Sequence, residues 1–341
     1  MKTNIPQTMK AVVLTESGAK PTVAVIPVPQ PGAGEVLVKM HVSPINPSDL
    51  AFLADSYGTK KPYPTVPGFE GSGIVVAAGK GILPKLWLGK NVACAASPKY
   101  NGCWAEYMVT SAASCVPLSK KISLEQGAMM FVNPMTALAF FEIYKNLPNP
   151  SKKLRGIINT AAASSLGRMI IKMGETQGIP IISVVRRKEQ VDLLKAEGAA
   201  YVINSSDVDF EEKLKEMAHK LNATVIFDCV GGKMVQQLID AAPNESKLFI
   251  YGKLSPDVCE IQPGNLIFTG SQIHGFWLTS RLKTQSMLQT IMNVRKVRSL
   301  IGNELGTTIY KTFRPEHISE AIETYKNNMS KGKVLLMLSS E

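Results

Sequence analysis

A chain of 341 residues, 45% hydrophobic and 19% charged, has an ordinary globular composition and is long enough for two well-packed domains. Its net charge of +11 is spread along the chain and not interleaved with stacking aromatics, which argues against a single-strand nucleic-acid binder. No apolar run approaches the roughly 18–20 residues of a membrane helix, and Met1–Thr8 has neither a signal peptide's apolar core nor a transit peptide's arginine-rich pattern, so a cytoplasmic protein without membrane contact is expected.

Residues 9–120 read as a β-rich domain. Most of the 21 prolines fall there, which disfavours long helices. Met9 to Leu14 reads as the first strand, and Val36, Val38, Met40 and Val42 alternate with Leu37, Lys39 and His41 at the period of a second. Turn clusters such as Pro64-Thr65-Val66-Pro67-Gly68 separate these runs. The cysteines at 94, 103, 115, 229 and 259 are odd in number and contain no Cys-x-x-Cys pair, so reduced, mostly buried thiols are expected.

The texture changes at Asn133, a good helix cap followed by Pro134 at the first helical position. From 156 to 252 strands are expected at 157–160, 181–185, 201–203, 225–230 and 247–251, with helices between them, one carrying Phe210, Leu214, Met217 and Leu221. That rhythm is the mark of repeated βαβ units and a parallel sheet. Leu266-Ile267-Phe268 and Gly275-Phe276-Trp277-Leu278 read as further strand, 280–300 as a basic helix carrying Arg295, Lys296 and Arg298 on a solvated face, and Val334–Leu338 as a closing strand.

The first βαβ unit, 156–188, carries the chemistry. The strand Ile157-Ile158-Asn159-Thr160 runs into Ala161-Ala162-Ala163-Ser164-Ser165-Leu166-Gly167, and Leu166, Met169, Ile170 and Met173 then recur at helical spacing. A small-residue turn opening a helix suits a dinucleotide pyrophosphate, because the helix's free N–H groups and a close backbone approach are both available. Against Gly-x-Gly-x-x-Gly, the turn offers Ala162, Ser164 and Gly167. Arg186 and Lys188, at the end of the second strand, stand where an adenosine ribose is read, and cations there suit a 2′-phosphate. The alternative for both is a solvated basic loop.

Several blocks in order resemble the medium-chain dehydrogenase/reductase superfamily, in its zinc-free branch of quinone oxidoreductases and 2-enoyl thioester reductases. They include Pro44-Ile45-Asn46-Pro47-Ser48-Asp49, Val66-Pro67-Gly68-Phe69-Glu70-Gly71, Val132-Asn133-Pro134-Met135-Thr136-Ala137, Asp228-Cys229-Val230-Gly231-Gly232, Tyr251-Gly252 and Gly332-Lys333-Val334-Leu335. The resemblance implies an α/β protein in which a Rossmann doubly wound parallel sheet is inserted into a GroES-like β-rich catalytic domain. The corresponding divisions are 1–130, 131–278 and 279–341. It also implies a cleft between domains, homodimers joined through the cofactor-domain edge strand, and NADPH as cofactor. Zinc-dependent relatives place Cys near 44–46 and His beside Glu70, whereas this chain has Pro44, Asn46 and Phe69, so no metal is expected.

By the same resemblance, Ala163, Ser164, Ser165 and Leu166 meet the pyrophosphate, Asn133 and Thr136 the nicotinamide side, and Val230, Tyr251 and Gly252 the same crevice. Phe276, Trp277 and Leu278 form a nicotinamide wall, with edge-strand packing as a compatible reading. Lys333 meets a ribose or is an exposed lysine. Tyr57 is either a general acid or a half-buried loop tyrosine. Asn46 touches substrate or nicotinamide, or is a turn former before Pro47. Cys103, Trp104 and Phe131 line a pocket or belong to the core. The function implied is hydride transfer to an activated C=C bond of a 2-enoyl thioester or enone. The alternatives are a quinone oxidoreductase and a non-enzymatic NADPH-binding sensor or RNA-binding relative.

Overall fold

A computed structural model describes residues 5–99, 101–148 and 155–339. Two compact units divide it. The first comprises Met1–Pro134 with Lys296–Glu341, and the second Met135–Arg295. The chain therefore leaves and re-enters the first unit, at 134/135 and 295/296, where the sequence reading set 130/131 and 278/279.

The first unit is built on a seven-stranded sheet. Its order runs Ile309–Phe313, Lys333–Met337, Glu35–Pro44, Glu70–Ala78, Asn91–Ala95 and Cys115–Pro117, with Tyr107–Ser111 also pairing with Glu35–Pro44. All pairs are antiparallel except Ile309–Phe313 on Lys333–Met337. The C-terminal strand thus completes a sheet begun near the N-terminus. The expected alternation in Glu35–Pro44 holds from Val38 to Val42, where Lys39 and His41 are the less buried residues, but breaks at Leu37, which is fully buried like Val36 and Val38. Trp104 and Cys103 lie in the core, with the Trp104 indole N–H 3.4 Å from the Pro44 carbonyl.

The second unit is a six-stranded, wholly parallel sheet. Its order is Tyr201–Asn204, Ile181–Val185, Ile157–Thr160, Val225–Asp228, Lys247–Ile250 and Gln272–Gly275. The chain winds outward from Ile157–Thr160 to one edge, then returns and winds to the other. The carboxyl ends of Ile157–Thr160 and Val225–Asp228 therefore flank the switch point, where an open α/β sheet offers a crevice. Strands such as Ile181–Val185 are buried at every residue, which explains their unbroken apolar runs.

Three expectations need correction. Leu266-Ile267-Phe268 is not strand but lies in the helix Pro263–Thr269, with Pro263 at its start and Gly270 left-handed at its end. The strand that follows is Gln272–Gly275, and Phe276-Trp277 lead into the helix Leu278–Thr284. The basic 280–300 segment is two helices, Leu278–Thr284 and Met287–Leu300, separated at Gln285-Ser286. Finally, Asn133 does not cap its helix, which spans Val132–Asn146 and begins a residue earlier, because a buried carboxylate described below receives the leading N–H groups.

Candidate active site

The second unit builds its part around the switch point. Thr160 ends its strand fully buried and donates through Oγ1 to Asp228 Oδ1 at 2.6 Å. Thr160 Oγ1 in turn accepts the Cys229 N–H at 3.0 Å. Asp228 also accepts the Val230 N–H at 3.0 Å and the Gly231 N–H at 2.8 Å. Burial pushes the Asp228 carboxyl above the usual range, with these hydrogen bonds opposing it. One carboxylate and one hydroxyl thereby lock the 229–231 loop to the neighbouring strand. Gly252 packs beneath it, where a Cβ would stand 2.7 Å from the Cys229 Cβ. Sequence reasoning quoted Asp228 but gave it no role; an acid ending the apolar strand Val225–Asp228 was the available signal.

The turn after Thr160 opens the helix Ser165–Thr176. Ser164 is its cap, accepting the Gly167 N–H at 3.1 Å. The N–H groups of Ser165 and Leu166 are left without an intrahelical acceptor. Gly167 cannot carry a side chain, because a Cβ would collide with the Ala162 carbonyl oxygen. Ala161 occupies the left-handed region at φ 46°, a position that glycine takes at less cost. Ala163 is buried, and Ser164 and Ser165 are half-buried.

At the end of Ile181–Val185, Arg186 and Arg187 are exposed, and among the described residues neither guanidinium has a carboxylate partner. Lys188 differs. It starts the helix Lys188–Ala196 and its ammonium pairs with Asp192 at 2.8 Å, which raises its pKa. Arg187, which sequence reasoning did not single out, is thus as available to an anion as Arg186.

Phe276 is half-buried, its ring 4.8 Å from that of Phe140, which itself stacks on Phe227 at 4.0 Å and lies 4.9 Å from Tyr251. Phe276 thus belongs to an aromatic cluster with Phe140, Phe227 and Tyr251. Trp277 and Leu278 are half-buried and Thr136 is buried.

The first unit places Asn46, Asp49, Glu70 and Lys333 together, all at 0–1% exposure. Asn46 precedes the helix Pro47–Leu53, and its N–H donates to Asp49 Oδ2 at 2.7 Å. Asp49 Oδ1 accepts the Phe69 N–H at 3.1 Å. Asn46 Nδ2 donates to Glu70 Oε1 at 2.9 Å, while its Oδ1 accepts from the Lys333 ammonium. Glu70 Oε2 accepts the Phe131 and Val132 N–H groups at 2.9 and 3.0 Å. Burial pushes Asp49 up to about 7 and raises Glu70, while it lowers Lys333 to about 8. Lys333 is therefore not an exposed lysine, and Asn46 is more than a turn former. Tyr57 is half-buried with its ring 4.8 Å from that of Phe69, and Asn133 is 9% exposed.

Two family patterns match the chain: an alcohol dehydrogenase GroES-like domain over residues 32–120 and a zinc-binding dehydrogenase domain over 165–293. A structure from Mesorhizobium loti, assigned as an NADPH:quinone reductase, is 34% identical, covers 98% of this chain and 100% of its own, and superposes with a TM-score of 0.88. The chain belongs to the medium-chain dehydrogenase/reductase superfamily. Within it, this oxidoreductase falls in the quinone and enoyl reductase branch. A Bacillus thuringiensis structure with the same kind of assignment is 25% identical, at a TM-score of 0.87 over 97% of this chain and 99% of its own. The mitochondrial enoyl-[acyl-carrier-protein] reductase of Arabidopsis thaliana is 28% identical over 307 residues, 87% of this chain and 77% of that protein.

The zinc in one matching family's description does not suit this donor set. Asn46 and Phe69 supply neither thiolate nor imidazole, and Glu70 is spent on two N–H groups and an amide. Among the described residues no group of three or more His, Cys, Asp or Glu side chains is placed to hold a metal ion.

Proposed function

We propose that this oxidoreductase uses NADPH, without zinc, to reduce an activated C=C bond in a 2-enoyl thioester or enone. The observation carrying the proposal is the switch-point turn, where N–H groups of Ser165 and Leu166 without an intrahelical acceptor stand at one strand end and, at the next, the exposed Arg186 and Arg187, which have no carboxylate partner among the described residues. The first pair suits a pyrophosphate and the second a 2′-phosphate. The Mesorhizobium loti relative's assignment as an NADPH:quinone reductase supports the cofactor, and the Arabidopsis thaliana reductase supports the enoyl substrate.

When bound, the reduced nicotinamide supplies a hydride for the β-carbon of the acceptor. The chain's own residues bind and orient. Ser164, whose oxygen caps the helix, still has its hydroxyl proton to give a phosphate oxygen. Thr136 and the Phe276-Trp277-Leu278 segment serve the nicotinamide end, and the Asp228–Thr160 bonds hold Val230 still. As charge builds on the substrate carbonyl oxygen, the Tyr57 hydroxyl donates to it and a proton reaches the α-carbon from that hydroxyl or from water.

The test is NADPH oxidation across enoyl thioesters, enones and quinones, with NADH as control and Tyr57→Phe measured beside the best acceptor. Turnover of a crotonyl thioester, with kcat reduced in Tyr57→Phe, is expected. Turnover of 1,4-naphthoquinone alone would favour the second reading, a quinone reductase, which the 34% identical relative supports. No oxidation with any acceptor would refute both. The proposal includes a homodimer through the edge strand Gln272–Gly275, beside which Ile267 and Phe268 are 71% and 85% exposed. Sedimentation at twice the chain mass checks it.

A further inference from the structure

Lys333 has an unusual setting for an ammonium group. It is 1% exposed in the strand Lys333–Met337, and its Nζ meets the Asn46 Oδ1, stands 3.4 Å from the Ile45 carbonyl and lies 5.6 Å from the Tyr325 ring centroid. Two acceptors and an aromatic face occupy its three protons. Facing it are two buried carboxylates, Asp49 and Glu70, whose charges oppose its own.

The hydrogen bonds have one consistent direction. An ammonium only donates, so Asn46 must turn its oxygen to Lys333 and its NH2 to Glu70. Glu70 Oε1 accepts that NH2, leaving Oε2 for the Phe131 and Val132 N–H groups that open the helix Val132–Asn146. An amide flip at Asn46 would set oxygen against carboxylate and NH2 against ammonium. Lys333 therefore determines which way Asn46 faces, and through it how Glu70 grips the helix start.

We propose that Lys333 is a positioning residue that acts through Asn46 and Glu70 on the first turn of the helix carrying Asn133 and Thr136. The link from that turn to turnover rests on the reductase reading above, since Thr136 serves the nicotinamide there. The hydrogen-bond order itself does not.

A double-mutant cycle tests it. Lys333→Met removes the charge and frees Asn46 to flip. Glu70→Gln alone offers its oxygen to the Phe131 and Val132 N–H groups but sets its NH2 against the Asn46 NH2, which Lys333 prevents from turning. Combined, the two substitutions are compatible: Asn46 flips and its oxygen accepts from the new amide at position 70, which removes the clash of two NH2 groups. Each single variant is expected to lower the melting temperature by about 5 °C or more, and kcat on the order of tenfold. The double variant recovers most of both. Affinity for 2′,5′-ADP, titrated as a probe of the adenosine side, stays unchanged throughout. A Lys333→Met protein with unaltered melting and a raised NADPH KM that Glu70→Gln does not rescue would overturn the proposal. If Lys333→Met is insoluble, a soluble double variant supports it and an insoluble one refutes it. Recovery of melting temperature without any turnover in the wild-type chain would fault the reductase reading and leave the hydrogen-bond order standing.

Discussion

Thr160→Val tests whether the switch point is held by one hydroxyl. Valine matches the shape of threonine and keeps its strand preference, so the change isolates the oxygen. That oxygen makes two buried contacts, donating to Asp228 Oδ1 at 2.6 Å and accepting the Cys229 N–H at 3.0 Å. A hydrogen bond to a charged partner contributes roughly 1.5–3 kcal/mol, and an orphaned buried N–H costs about 1–3 kcal/mol. Because both share one oxygen the figures do not simply add, and about 3 kcal/mol is expected. Thr160→Ser keeps both bonds and loses one methyl, at about 1 kcal/mol. Scanning calorimetry is the assay, since two compact units need not melt as one transition. The valine variant should melt clearly below the serine variant in the transition of the unit holding 135–295. If valine is as stable as serine, the Thr160–Asp228 lock is not a source of stability and the reasoning fails.

Other outcomes are equally specific. Arg186→Ala should raise the KM for NADPH on the order of tenfold while leaving that for NADH nearly unchanged, since the lost guanidinium serves the extra phosphate; steady-state kinetics with both cofactors checks it. Ala161→Gly relieves a left-handed alanine at φ 46° and should be neutral to stabilising by up to about 1 kcal/mol by urea titration, despite glycine's freer unfolded chain. Asp49, raised from 3.8 to about 7, binds its proton more tightly folded than unfolded. Its contribution is therefore full below pH 3.8 and lost as pH rises to about 7, a slope approaching 1.4 kcal/mol per pH unit at most. Asp49→Asn should flatten unfolding free energy against pH across that window, measured by urea titration at each pH.

The parallel sheet was legible because its strands are buried on both faces and alternate with amphipathic helices, so Ile157–Thr160 and Ile181–Val185 announce themselves as short apolar runs. Leu266-Ile267-Phe268 misled for the same reason. An apolar triplet implies burial, yet Ile267 and Phe268 are exposed, and the flanking Pro263 and Gly270 were the better guide to a helix. The hydrogen-bonded clusters were hidden by distance along the chain. Lys333 meets Asn46 across 287 positions and Thr160 meets Asp228 across 68. No local pattern distinguishes such a lysine from a solvated one. The phosphate turn lay between these cases: its strand and helix were plain, but the cap on Ser164 and the spent charge of Lys188 needed coordinates.

Gly167 has a consequence for how such turns diverge. Its missing side chain is required by the chain's own carbonyl at Ala162, whatever lies in the crevice, whereas Ala162 and Ser164 need only be small. Drift can therefore erode the first two glycines of a dinucleotide signature while geometry preserves the third. Searches that weight all three equally will pass over descendants that keep the architecture intact.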